Sequence, residues 1–89
     1  MITFGFDENA VGWSKNHENN LVYLIHQKHY FEDLFKCRGY MYLNNIYESL
    51  GIKWDPTREN VLWIYGQDAF SIRFYRFGDS NKWIVAINQ

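Results

Sequence analysis

A chain of 89 residues makes one domain with a thin core, since folding at that size buries only roughly 60–65% of the unfolded surface. The formal net charge of −1 excludes a global field that would draw nucleic acid or an anionic membrane, and one Pro with six Gly excludes a disordered chain. A single cysteine, Cys37, excludes an internal disulfide and favours a reducing compartment.

Seven Phe, seven Tyr and four Trp offset the small core, because each ring buries a large area per ordered residue. No basic-then-apolar leader opens the chain, and no apolar run approaches about 18 residues. The expectation is a soluble, cytoplasmic protein, a single domain over residues 1–89, with no membrane partner. Charge is unevenly spread. Residues 1–68 carry a formal −3, whereas residues 69–89 carry Arg73, Arg76 and Lys82 against Asp79, a formal +2.

Along the chain, Ile2, Phe4 and Phe6 alternate with Thr3 and Gly5, the period of a half-buried strand. Asp7, Glu8 and Asn9 read as a turn, and Ser14, Asn16 and Asn19 are each candidate caps for the helix that follows. That helix is predicted over about Glu18 to Lys36, with Arg38-Gly39 as its stop; Leu21, Leu24, Ile25, Phe31 and Phe35 lie on one apolar arc that Lys28 interrupts, its stem expected to snorkel at the edge of the core.

The stretch Tyr40 to Gly51 is predicted as a second, central helix. Leu43, Ile46, Tyr47 and Leu50 fall at i, i+3, i+4 and i+7, and Gly51 suits a left-handed C-terminal cap. Ile52 and Trp54 are expected to fold back on the core, and Asp55-Pro56-Thr57 marks a turn. Three strands follow: Val61 to Tyr65, Phe70 to Phe77, and Trp83 to Asn88. In the middle one Phe70, Ile72 and Phe74 share one face and Ser71, Arg73, Tyr75 and Phe77 the other, wetter one; the outer two are apolar on both faces, so their orientation stays open. The fold predicted is α+β, with two helices on one face of a three- to four-stranded antiparallel sheet ending in a β-meander.

The segments Tyr42-Leu43-Asn44-Asn45-Ile46-Tyr47-Glu48-Ser49-Leu50-Gly51, Trp63-Ile64-Tyr65-Gly66 and Trp83-Ile84-Val85-Ala86-Ile87 carry a resemblance. From about Leu21 onward the chain resembles the soluble C-terminal domain of an uncharacterised family from tailed phages and their bacterial hosts. The resemblance implies a small phage or mobile-element protein. It brings no catalytic residues, since none are known for the family. Two departures stand out: family members often carry an N-terminal membrane segment that is not read here, and Tyr42 occupies a position where Ser or Thr would cap the helix.

Candidate chemistry is sparse. His26, His29, Asp33 and Cys37 share a side of the first helix and are all zinc-ligand types, but one straight helix rarely aims more than two or three side chains at one ion, and residues 26 and 37 are about 16 Å apart along its axis. A solvated polar face is the preferred reading, so no metal and no cofactor are expected. Cys37 lies near a helix C-terminus, whose dipole disfavours the nucleophilic thiolate, so catalysis there is not expected. Glu48 with Asp55 and Glu59 with Asp68 are carboxylate pairs of a kind that ten acidic residues produce by chance. No Walker, phosphate-loop or Ser/His/Asp pattern appears, and the chain is read as not an enzyme.

Arg73, Tyr75, Arg76, Phe77, Lys82 and Trp83 form a basic-aromatic cluster and are the predicted binding residues. Tyr, Trp and Arg are the residue types that dominate protein interfaces, and rings with guanidinium groups also suit single-stranded nucleic acid. The leading expectation is a non-enzymatic phage or mobile-element protein that binds a host protein or protein complex. Its concrete version is an inhibitor of a host defence nuclease, such as an anti-CRISPR. The second-ranked partner is nucleic acid, bound through the same hairpin, and the third role is a phage structural or assembly component. Oligomeric state is left open.

Overall fold

The computed structural model describes residues 1–53 and 55–88. Its elements are β1 (Ile2–Phe6), α1 (His17–Arg38), β2 (Tyr40–Tyr42), α2 (Leu43–Ser49), a 3-10 turn at Pro56–Arg58, β3 (Leu62–Ile64), β4 (Ile72–Arg76) and β5 (Trp83–Ile87). Two helices pack with antiparallel sheets, one of three strands in the order β1-β5-β4 and one of two strands, β2-β3. The α+β class predicted from the pattern is the class observed.

The start and end of α1 follow local chemistry. Asn16 has an extended backbone, and its side-chain oxygen accepts from the N–H groups of Glu18 and Asn19 at 2.9 and 3.2 Å. Gly39 ends the helix at φ 88° and donates its N–H to the Phe35 carbonyl at 2.9 Å. The buried stripe, however, is Asn20, Leu24, Phe31 and Phe35. Leu21 and Ile25, expected inside, are 41% and 40% exposed. The stripe is rotated toward Asn20, which is polar by type yet fully buried at a junction of loops, and Lys28 is half-buried, as expected of a side chain at the edge of the core.

The segment around α2 is the centre of the core. Leu43, Ile46 and Leu50 are fully buried and Tyr47 nearly so, in one cluster with Ile2, Phe6, Leu24, Phe31, Ile72, Val85 and Ile87. Tyr40–Tyr42, expected to open this helix, is a strand instead. Tyr42 gives α2 no side-chain cap; Asn45 reaches back to the Tyr42 N–H at 3.4 Å and also accepts from Arg38 at 2.9 Å, which ties α1 to α2. Gly51, at φ 72°, has a backbone so close to Val11 that a Cβ there would lie 2.7 Å from the Val11 Cβ.

The strand pairing differs from the predicted meander. Only β4 and β5 form a hairpin of the C-terminal sheet; β3 pairs with β2, placing Met41 opposite Trp63, both buried. The turn after β3 explains this. Asp68 returns both its N–H and its carboxylate to Ile64, each at 2.8 Å, so the chain closes on β3 there and does not run on into a hairpin with β4. Ile52 does pack against the core, whereas Trp54, for which the same was expected, lies outside the described residues.

Candidate binding face

The register of the three-stranded sheet sorts its residues into two faces. Ile2, Ile87 and Ile72 align in one row, Phe4, Val85 and Phe74 in the next, and Phe6, Trp83 and Arg76 in a third; this is the face that meets the helices. Between these rows, Thr3, Ala86 and Arg73 align, and Gly5, Ile84 and Tyr75 align, all pointing the other way because strand side chains alternate. The turn extends this second face by one more pair, since the Phe77 N–H donates to the Lys82 carbonyl at 2.8 Å. The two faces of β5, which the sequence left open, are thereby assigned.

Among the described residues no helix covers the second face. Tyr75 is 50% exposed and Phe77 61%, and the two stand on the same face, so their exposed surfaces are neighbours. Ile84 and Ala86 form an apolar floor between the strands. Gly5 leaves a depression above it, because a Cβ at Gly5 would meet only the Asp7 carboxylate at 3.9 Å. This hollow, about 230 Å3, is lined by Gly5, Asp7, Phe77, Lys82 and Ile84 among others. A second hollow of about 270 Å3 lies by Arg73 and Ala86.

The six predicted binding residues divide. Arg73, Tyr75, Phe77 and Lys82 lie on the bare face. Lys82 is within 3.7 Å of Glu8, an exposed pair of little energetic consequence. Arg76 points to the opposite face, and its guanidinium donates to the carbonyls of Ser80 and Asp79 at 2.8 and 3.1 Å, bracing the β4–β5 turn. Trp83 is a core side chain, 7% exposed, whose indole N–H has no hydrogen-bond partner among the described residues. Gly5, Ile84 and Ala86 belong to the face and were missed, because the register of β5 with β4 sets Ile84 and Ala86 beside Tyr75 and Arg73, and its pairing with β1 adds Gly5.

The other candidates are dispersed. His26, His29, Asp33 and Cys37 are all exposed on α1, and among the described residues no group of three or more His, Cys, Asp or Glu is placed to hold a metal ion. Asp55 is occupied in its own turn. Its carboxylate accepts from the Thr57 hydroxyl at 2.6 Å and the Thr57 N–H at 3.0 Å, which hold its pKa below the usual carboxylate value, with help from Arg58. Burial raises the pKa of Tyr23, whose hydroxyl donates to the Ser49 carbonyl at 3.0 Å. Among the described residues no helix is long and apolar enough to cross a membrane.

A family model matches residues 3–88, from the second residue of β1 to the residue after β5. The chain belongs to DUF6353, a family of unknown function. No curated protein and no solved structure matches it. The DUF6353 match takes in both sheets, both helices and every residue of the bare face.

Proposed function

We propose that this DUF6353 domain is a non-enzymatic binding module whose bare sheet face docks a protein partner. One observation carries the reading: two large rings, Tyr75 and Phe77, stand exposed beside an apolar floor on the one face of the sheet that the helices leave open. Each ring leaves roughly 100 Å2 in water. At about 25 cal/mol/Å2, covering both would contribute about 5 kcal/mol before association costs, enough to make them the anchors of an interface. Arg73 and Lys82 at opposite ends of the face would set orientation and encounter rate more than affinity.

Origin and setting follow from the resemblance: a phage or mobile-element protein acting in the cytoplasm of a bacterial host. Proteins of that origin and size often block a host enzyme, so a defence nuclease such as a CRISPR effector is the first partner class to test.

The test is capture from host lysate with wild-type protein, Tyr75→Ala, Phe77→Ala and Gly5→Val. Gly5 sits in a strand where a Cβ would meet only the Asp7 carboxylate at 3.9 Å, so valine adds bulk to the hollow and favours the strand. All three variants are expected to keep a melting temperature within a few degrees of wild type and to lose the partner. A partner retained by all three removes the sheet face from the function. Exposed rings on an open sheet also suit stacked bases, as in single-strand-binding sheets. Tight oligonucleotide binding that falls steeply with salt and disappears in Arg73→Ala would therefore replace the protein partner with nucleic acid.

A further inference from the structure

A cleft of about 430 Å3 opens between the C-terminal half of α1 and the loop joining β3 to β4. It shares no residue with the bare sheet face. Its apolar lining is three rings, Phe35, Tyr65 and Phe70. The Phe35 and Tyr65 rings are 5.5 Å apart and inclined at 75°, and the Phe35 and Phe70 rings are 5.4 Å apart at 42°. Adjacent walls therefore stand steeply to each other, as the walls of an aromatic cage do. Phe35 is nearly buried and supplies the base, and Tyr65 is 54% exposed at the rim.

The rim is charged. Glu32 and Asp68 contribute carboxylates from opposite sides, and Lys36 one ammonium. Among the described residues neither carboxylate is in an ion pair, although Lys36 follows Glu32 by one helical turn. Asp68 is held in place, with its Oδ2 accepting the Ile64 N–H at 2.8 Å, while its Oδ1 accepts no hydrogen bond among the described residues. Gly66 and Ala69 line the loop side without side-chain bulk, which keeps the mouth open.

We propose that this cleft is a receptor for an arginine side chain presented by a peptide or protein. Aromatic faces attract a cation through their quadrupole, and carboxylates at the rim match it in charge. The guanidinium fits better than an ammonium for two reasons. It is flat and weakly hydrated, so it stacks on rings at lower desolvation cost, and its fork of N–H groups matches a carboxylate edge. The volume accommodates a side chain of that length, lying within the range of small-ligand sites. Lys36 is exposed at the end of a flexible stem and can turn outward when the guanidinium enters.

The experiment titrates the full chain with N-acetyl-arginine-N-methylamide and follows backbone amide chemical shifts. The comparator is the citrulline analogue, which has the same shape and no charge. The arginine probe is expected to shift the amides of Lys36, Tyr65, Gly66 and Ala69 and to bind about tenfold more tightly than the citrulline probe. Glu32→Gln, which keeps the side-chain shape, and Tyr65→Ala should each weaken the arginine probe by about fivefold or more. Phe77→Ala should leave the titration unchanged, so failure on the sheet face and failure here are separable. Equal binding of the two probes, absence of shifts up to tens of millimolar probe, shifts that map elsewhere, or full binding by Glu32→Gln and Tyr65→Ala would each overturn the proposal.

Discussion

Replacing Asn20 with leucine tests the least expected part of the core. Asn20 is fully buried on α1. Its Oδ1 accepts the Ser14 N–H at 2.8 Å, and its Nδ2 donates to the Ser14 carbonyl at 2.7 Å and to the Asn81 Oδ1 at 2.9 Å. Asn81 in turn donates to the Ser14 carbonyl at 3.0 Å and to the Lys15 carbonyl, and its own carbonyl accepts the Trp13 indole N–H at 2.7 Å. Two loops far apart in sequence, before α1 and between β4 and β5, are thus joined through two side chains. Leucine has nearly the shape of asparagine but none of its hydrogen bonds. The Ser14 carbonyl keeps Asn81, whereas the Ser14 N–H and the Asn81 Oδ1 lose their partner. Two orphaned groups cost about 1–3 kcal/mol each when buried. Rehydration of the half-exposed Ser14 and Asn81 and the apolar gain of leucine return part of this, leaving a net loss of about 2–3 kcal/mol. A domain of this size has roughly 5–13 kcal/mol in total, so melting should fall by roughly 10–20 °C. Urea unfolding followed by tryptophan fluorescence, with a thermal melt by circular dichroism, reads both quantities. A double-mutant cycle with Asn81→Ala should give a coupling of about 1 kcal/mol. An unchanged or raised melting temperature in Asn20→Leu, or strict additivity in the cycle, would refute the claim that this polar bridge holds the loops.

Two further expectations concern local geometry. Gly39→Ala and Gly51→Ala both force an L-residue into the left-handed region, but only at Gly51 does a Cβ also meet backbone, 2.8 Å from the Val11 nitrogen. Gly39→Ala should cost about 1 kcal/mol and Gly51→Ala about 2–4 kcal/mol in urea denaturation, and equal costs would contradict the close approach of the Val11 loop. Thr57→Val removes the main cause of the low Asp55 pKa. A depressed folded-state pKa contributes stability that is present above the unfolded value of about 3.9 and is lost as pH falls through the folded value. The variant should therefore raise the Asp55 pKa in a carboxyl-carbon NMR titration, lose a little stability at pH 7, and converge with wild type as pH falls below about 4.

Local chemistry was written plainly in the sequence. The α+β class, the strand at Ile2–Phe6, the buried i, i+3, i+4, i+7 stripe of α2 and the two faces of β4 all follow from periodicity within a few residues, which a single element can carry by itself. So do the stops of α1 and α2 at Gly39 and Gly51, because a left-handed backbone is a property of one residue. What the tertiary structure alone decided is everything that depends on a partner distant in the chain. Asn20 is inside because Asn81, 61 residues later, completes its hydrogen bonds, and no hydropathy pattern assigns a polar side chain to a core on that account. β3 pairs with β2 because Met41 and Trp63 share one buried row, a match invisible while Tyr40–Tyr42 reads as helix. The binding residues divide for the same reason. Arg76 and Trp83 are close to Tyr75 and Phe77 along the chain, but alternation turns them to the helix side, while Gly5 and Ile84 join the open face through the register of β5 with β1 on one side and β4 on the other.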